Sequence, residues 1–194
     1  MFFLDIETLG VESTAAILSV AIIHLSDSEP RPASELSSDY IFVKFDVKDQ
    51  LERFARTVDM DTIGWWKKQS ELARIKSYIK DPTIDVKTEE GLDRIDAWVS
   101  KHKDHANDLV WIRGTLDQMA VDSLYSAAKR KPPFKYNVYR DMRTAIDLLY
   151  PESKGGYVEV DSSLCFGYDK LQWIPHDPVH DICRDAAMLL YGKK

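Results

Sequence analysis

Apolar stretches alternate with short polar breaks over residues 1–45, a pattern typical of β-strands. Residues 1–6, 15–25 and 40–45 are rich in branched and aromatic side chains, which predicts three strands. The short connection around Gly10 favours an antiparallel hairpin of the first two strands. The third strand, after a polar loop, can extend that hairpin into a meander.

Beyond these strands the apolar positions recur mostly at helical spacing. Helices are predicted at about 47–57, 60–79 with a break near Ser70, 88–102, 115–129, 141–149 and 179–191, with a buried strand at 108–112 and an irregular loop over 151–178. Strands followed by alternating helices and strands predict an α/β fold, in which helices flank a mixed sheet with an antiparallel start. At 194 residues the chain is expected to form one domain, 1–194.

The formal net charge of −6 argues against a broadly basic surface for binding nucleic acid. It does not exclude a nucleic-acid enzyme, because carboxylates that hold metal ions add to the acid count. Cys165 and Cys183 form neither a disulfide framework nor a CxxC metal motif, which favours a reducing, cytoplasmic setting. No run of about 18 apolar residues occurs, so no membrane span is expected.

Two acids, Asp5 and Glu7, interrupt the apolar first strand. Side chains two residues apart on a strand face the same way, about 6–7 Å from each other. Such a pair repels and loses solvation when it is partly buried. Divalent ions such as Mg²⁺ or Mn²⁺ would compensate both effects through oxygen ligands. The alternative is an exposed edge strand with two solvated acids.

Further acids follow at positions that the fold can bring to the same place. Asp117 comes just after the predicted strand at 108–112, although an acid there can also simply favour the start of a helix. In the segment PHDPVHDICRDAAMLL, a helix that begins near Val179 can point Asp181 at the sheet, while the preceding loop carries His176 over the same point. The alternative for this segment is a solvated helix face.

Taken in order, these residues resemble the motifs of the DEDD 3′–5′ exonucleases, in the branch with a histidine in its last motif. The D-x-E motif corresponds to Asp5 and Glu7, the acid after a strand and a glycine to Asp117, and the H-x-x-x-x-D motif to His176 and Asp181. The resemblance implies a ribonuclease H-like fold.

Two other segments, TIGWWKKQS at 62–70 and YRDMRT at 139–144, resemble a subgroup of short phage and bacterial exonucleases and exoribonuclease-like domains. The similarity therefore covers nearly the full chain.

His180 and Asp185 repeat the H-x-x-x-x-D spacing and form a second register for the third motif. We prefer His176 and Asp181, because a small residue commonly follows two positions after the histidine in this family. Pro178 stands there, where alanine is usual, and is a departure from the family pattern.

The resemblance implies hydrolysis of single-stranded DNA or RNA from the 3′ end to nucleoside monophosphates. Asp5, Glu7, Asp117 and Asp181 would hold two divalent metal ions, Mg²⁺ or Mn²⁺, and His176 would accept the proton of the attacking water. DNA and RNA stay open as alternatives, because reading of the 2′-hydroxyl cannot be located in the sequence. The subgroup also suggests a phage-encoded protein that acts in host cytoplasm.

Seven further side chains are candidates for substrate contacts. They are Thr8 and Leu9 for the terminal nucleotide, Trp65 or Trp66 for stacking on a base, Gln69 for a base or sugar, and Arg140 and Arg143 for phosphate. The alternatives are that one tryptophan belongs to the core while the other caps it, and that the arginines pair with neighbouring acids.

Two other functions fit the same residues less directly. One is a nucleic-acid-binding module that has lost catalysis, although all four acids and the histidine are present. The other is a metal-dependent phosphoesterase that acts on small substrates, against which the tryptophan pair favours a polymer end.

Overall fold

The computed structural model describes residues 1–103 and 108–194. Its strands are β1 Phe2–Thr8, β2 Ile17–His24, β3 Arg31–Pro32, β4 Tyr40–Lys44, β5 Val110–Ile112, β6 Tyr139–Asp141 and β7 Cys165–Phe166. Five of them form one sheet in the order β4-β2-β1-β5-β6, and β3 pairs with β7 in a separate small sheet. The central position of β1 explains its apolar sequence, because such a strand is covered on both faces.

The main sheet is mixed. β1 is antiparallel to β2, and β2 is antiparallel to β4, as the short early connections predict. β5 and β6 add to the other side of β1 in parallel. Glu7, Ser19 and Lys44 lie opposite one another across the three antiparallel strands, and a register shift follows Glu7.

Helices follow the predicted order along the chain. They are α1 Val47–Arg53, α2 Met60–Trp66, α3 Glu71–Ala73, α4 Thr88–His102, α5 Leu116–Ala127, α6 Met142–Leu149 and α7 Pro178–Tyr191. A π-helical segment, Arg74–Tyr78, continues α3, and short 3₁₀ turns cover Ala33–Ser37, Tyr136–Val138 and Tyr168–Lys170. The arrangement confirms an α/β fold with a mixed sheet between helices, consistent with a ribonuclease H-like fold.

The two faces of the sheet bury separate apolar clusters. Leu4 and Ile6 of β1 pack toward α4 and α5. Phe3 packs on the opposite face, against apolar residues of α6 and α7. Because strand side chains alternate, Asp5 and Glu7 share this second face with Phe3 and point toward the start of α7.

The break predicted near Ser70 is confirmed, because α2 ends at Trp66 and the Ser70 side chain caps α3. Two other details of the sequence prediction are corrected by the structure. α1 ends at Arg53, because the chain turns at Ala55, which has a φ of 51°. The short strands β3, β6 and β7 were absent from the prediction, because two or three residues carry no readable alternation.

Among the described residues, no helix combines the length and the apolar character that crossing a membrane requires.

Gly91 marks the closest approach of α4 to the sheet. A Cβ atom there would lie 2.3 Å from Phe45 Cε1 and 2.9 Å from Val43 Cγ1. We expect Gly91→Ala to lower the free energy of unfolding by about 1–3 kcal/mol through overpacking, measured by urea denaturation. Gly64→Ala, where no atom lies within 4 Å, is the control and should raise it by about 0.5–1 kcal/mol. Equal gains in both variants would contradict this packing.

Candidate active site

A cavity of about 750 Å³ opens where β1 ends, beside α2 and the start of α7. Its lining includes six residues that the sequence singles out as functional, in addition to both tryptophans of α2. The six are Asp5, Glu7, Thr8, Arg143, His176 and Asp181. Segments far apart in the chain therefore meet at the carboxyl end of the central strand.

Asp5 lies within electrostatic range of four other carboxylates. Its Oδ2 atom is buried and has no hydrogen-bond partner in the described structure. Burial raises the pKa of Asp5 well above its usual value, and the carboxylates of Asp117, Glu7, Asp181 and Asp185 raise it further. An acid in this environment resists ionisation unless a cation joins it.

Glu7, His176 and Asp181 converge beside Asp5. His176 Nδ1 lies 3.5 Å from Glu7 Oε1, and one potential ligand atom from each of the three residues lies within 4.8 Å of the others. Burial raises the pKa of Glu7, although the nearby His176 opposes this rise. The Glu7 carboxylate in turn raises the pKa of the His176 imidazole.

The backbone of His176 has an unusual conformation, with a φ of 64°. Its N–H donates to Asp181 Oδ2 over 2.7 Å, so the histidine and the aspartate of one motif are joined directly. Pro178 stands in the first turn of α7, where a proline loses no helical hydrogen bond, and Asp177 caps the helix. The proline that departs from the family pattern is thus compatible with the helix start.

Asp117 lies in the first turn of α5, directly after Leu116, which lines the cavity, and is only 7% exposed. Its Oδ2 atom accepts a hydrogen bond from the Arg113 N–H over 3.3 Å. Burial raises the pKa of Asp117 to about 8, with Glu7 and Asp185 among the contributing charges. Gly114, with a φ of 97°, makes the turn that joins β5 to α5.

The two histidines of the C-terminal segment point to different places. His176 borders the cavity, whereas His180 Nδ1 accepts a hydrogen bond from the Ile174 N–H over 3.0 Å. The His180 ring packs edge-on against Trp173 and lines a separate, smaller cavity. The position of the histidine therefore favours the register of His176 and Asp181.

Asp185 nevertheless reaches the same region, one turn further along α7. It is 2% exposed, and its Oδ1 atom lies 3.5 Å from Arg113 Nη1 and 3.9 Å from Arg184 Nε. Burial raises the pKa of Asp185 to about 6, opposed by these two guanidinium groups. Unlike Asp5, this carboxylate has positive neighbours.

The tryptophan pair of α2 is divided between the core and the cavity. Trp66 is fully buried and its indole N–H donates to the Thr8 carbonyl over 2.9 Å. Trp65 is 41% exposed, and its ring packs edge-on against the His176 ring at a centroid distance of 4.7 Å. Only Trp65 offers a ring face to a ligand, so Trp66 as a base-stacking residue is corrected to a supporting role.

Three other expected substrate contacts lie away from the cavity. Leu9 is buried against Trp66 in a small apolar cluster. Gln69 donates to the Trp65 carbonyl, and Arg140 donates to the carbonyls of Asn137 and Tyr139. None of these three side chains lines the cavity, so the structure gives no support to their predicted substrate contacts.

Three polar residues near the acids, Arg113, Tyr157 and Arg184, were not predicted from the sequence. Arg184 Nη2 lies 3.0 Å from Asp181 Oδ1, a pair whose spacing of three residues on a helix could have been recognised. Arg113 donates to the Gly156 carbonyl, and its guanidinium carbon lies 4.0 Å from the centre of the Tyr157 ring. No local pattern could reveal Tyr157, which comes from the loop predicted to be irregular.

Comparison with known proteins agrees with the motifs. The family model of the 3′-5′ exoribonuclease Rv2179c-like domain matches residues 1–172. An exodeoxyribonuclease of Enterobacteria phage T4 is 28% identical over 211 aligned residues, which cover 98% of this chain and 88% of the phage protein. The resemblance to 3′–5′ exonucleases is thereby confirmed. The chain belongs to the Rv2179c-like 3′-5′ exoribonuclease family and is a nucleic-acid hydrolase of the 3′–5′ exonuclease class.

Proposed function

We propose that this exonuclease removes nucleoside monophosphates from the 3′ end of single-stranded nucleic acid with the help of two divalent metal ions. The observation that carries the proposal is the buried, unpartnered Asp5 carboxylate, surrounded by further acids and bordered by Trp65. An acid cluster alone would suit many metal sites. An exposed indole beside it suits a nucleobase.

The proposed metal ligands are Asp5, Glu7, Asp117 and Asp181. Among the described residues no ion pair joins Asp5 or Asp117 to a cation, and Asp5 Oδ2 lacks a hydrogen bond, so positive charge is needed where these carboxylates meet. Their oxygen atoms suit Mg²⁺ or Mn²⁺. Two such ions, when bound, supply charge that activates water and stabilises the leaving oxygen.

His176 is the proposed acceptor of the water proton. The ring lies at the cavity edge beside Glu7, and the residue is fixed to Asp181 through its backbone N–H. Imidazole is suited to this task because its ordinary pKa is near neutral. Asp181 would therefore have two roles, as a metal ligand through its carboxylate and as an anchor of the base.

The remaining cavity residues suit a nucleotide at the end of a strand. The volume of about 750 Å³ lies in the range of small-molecule sites. Trp65 would stack on a base, Thr8 would lie beside the terminal nucleotide, and Arg143, exposed on α6, would bind a phosphate. Stacking on an indole face is the usual way in which proteins hold bases of single strands, which supports single-stranded substrates.

Both DNA and RNA are substrates to be tested, because the family description refers to RNA and the phage relative to DNA. The phage relative also supports our proposal that the protein works in the cytoplasm, including that of an infected host.

The first prediction concerns the products and the catalytic residues. Incubation of 5′-labelled single strands of DNA and RNA with Mg²⁺ or Mn²⁺ should give a ladder that shortens from the 3′ end. We expect Asp117→Asn to abolish it and His176→Ala to lower the rate by about 10²–10⁴-fold, because a general base contributes that much. His180→Ala is the matched control and should keep nearly full activity. If the His180 variant is inactive and the His176 variant is active, the third motif consists of His180 and Asp185 instead.

A second prediction separates metal-binding acids from structural ones. In metal-free protein at pH 7, Asp117→Asn should raise the free energy of unfolding by at least about 1.4 kcal/mol, the equivalent of one pKa unit, because a buried group whose pKa is raised on folding is replaced by a neutral amide. Added Mg²⁺ or Mn²⁺ should raise the Tm of the original protein far more than that of the variant. Destabilisation of the metal-free variant would instead indicate a structural role for Asp117.

The third prediction concerns base stacking. Trp65→Ala should raise the KM for single strands by about 5–150-fold, which corresponds to about 1–3 kcal/mol for one stacked base. Trp65→Phe retains an aromatic face and should give a smaller rise. If both variants keep the original KM for single strands, Trp65 does not contact the substrate.

A further inference from the structure

We propose that buried polar residues on the face of the sheet that carries Glu7, namely Ser19 and Lys44, act through Ser77 of the π-helical segment to hold His176 in its working position. This inference rests on the role proposed above for His176. Ser19, Lys44 and Ser77 are therefore positioning residues, because none of them lines the catalytic cavity.

Three polar side chains form a row across the sheet. Glu7, Ser19 and Lys44 are direct neighbours across β1, β2 and β4, so their side chains lie on one face. Ser19 is fully buried and Lys44 is 3% exposed. Polar side chains in the middle of a sheet destabilise the fold unless they have partners, so their presence needs an explanation beyond packing.

Their partners lie on the π-helical segment. Lys44 Nζ donates to the carbonyls of Ile75 and Ile79, and Asp85 lies 3.6 Å away as its counter-ion. Ser19 Oγ donates to Ser77 Oγ over 3.2 Å. Lys44 therefore holds the π-helical segment near both of its ends, and Ser19 holds it in the middle. Wider π turns occur frequently at functional sites, where they redirect a side chain.

Ser77 transmits this position to the histidine. Its Oγ atom donates to the His176 carbonyl over 3.2 Å, and the residue is fully buried. Donation therefore runs in one direction, from Ser19 to Ser77 and from Ser77 to His176. The Ser77 hydroxyl accepts a hydrogen bond through its oxygen and donates one through its hydrogen, so a single orientation satisfies both bonds.

His176 needs this anchor because of its backbone. A left-handed conformation costs a residue with a side chain about 1–2 kcal/mol, so it persists only where contacts hold it. The N–H of His176 is held by Asp181 and its carbonyl by Ser77. Because both peptide groups are fixed, the point from which the His176 side chain leaves the backbone is fixed too, and the ring then lies between Glu7 and Trp65.

Aromatic contacts also link the π-helical segment to the wall of the cavity. Tyr78 stacks nearly parallel on Trp66, at an angle of 4°. Trp66 in turn bonds to the Thr8 carbonyl, directly after Glu7. A shift of the π-helical segment would therefore move the histidine relative to β1.

The test compares Ser77→Ala and Ser77→Cys in the full chain. The cysteine keeps the side-chain volume but is a weak donor, so it separates the hydrogen bond from packing. We expect both variants to lower kcat on a labelled single strand by about tenfold or more, with KM within about twofold, because small displacements of a catalytic group cost up to about 10²-fold. Mg²⁺ should still raise the Tm of both variants.

A signal independent of activity is the imidazole resonance of His176 in histidine-labelled protein, assigned by its loss in His176→Ala. It should shift in both Ser77 variants. Ser123→Ala is the matched control, because Ser123 Oγ also accepts a partly buried hydrogen bond, from Arg56, but lies on α5. That variant should leave both kcat and the resonance unchanged.

A failure of the positioning inference and a failure of the proposed function would give different results. If His176→Ala is inactive while both Ser77 variants keep the original kcat and resonance, the positioning inference is wrong and the proposed function stands. Recovery of kcat in Ser77→Cys alone would assign the effect to packing and overturn the inference. If His176→Ala keeps the original kcat, the proposed base is wrong and the inference falls with it.

Discussion

Repulsion among carboxylates at the end of β1 is the constraint on which the rest of the site depends. Asp5 and Glu7 share one face of a central strand, and Asp117, Asp181 and Asp185 are brought within electrostatic range of them. No arrangement of this kind is stable by itself, because burial and like charges both oppose ionisation. The chain tolerates it because apolar clusters on both faces of the sheet hold the elements together, and bound cations would relieve it.

The positive charge near this centre is placed unevenly. Arg184 lies beside Asp181 and Arg113 beside Asp185, whereas Asp5 has no cationic side chain in contact within the described residues. Guanidinium groups therefore balance the outer acids, and the central carboxylate has no such partner in the described part of the chain, which is consistent with its proposed role as a metal ligand. The acids still outnumber the guanidinium groups here, so in a chain with a net charge of −6 the proposed metal ions would have to offset this charge before a polyanion can approach.

An aromatic contact joins the residue proposed to stack on a base to the residue proposed to accept the water proton. Trp65, the exposed member of the pair, touches the ring of His176, and Trp66 supports the backbone beside Glu7 from below. A base stacked on Trp65 would therefore lie next to the proposed base catalyst. This proximity gives a physical reason why a nuclease of this kind acts at a strand end, where one nucleotide can enter the cavity.

The order of the main elements could be predicted from the sequence, because alternation and helical spacing are local properties, and Asp5 and Glu7 stood out because they interrupt an apolar strand. His176 and His180 have the same spacing to an aspartate, and only the fold distinguishes them, because it places the first ring beside Glu7 and the second against the Ile174 N–H. It also decided which tryptophan is buried. The contacts of Ser19, Lys44 and Ser77 likewise join residues distant in the chain, and such contacts leave no local pattern.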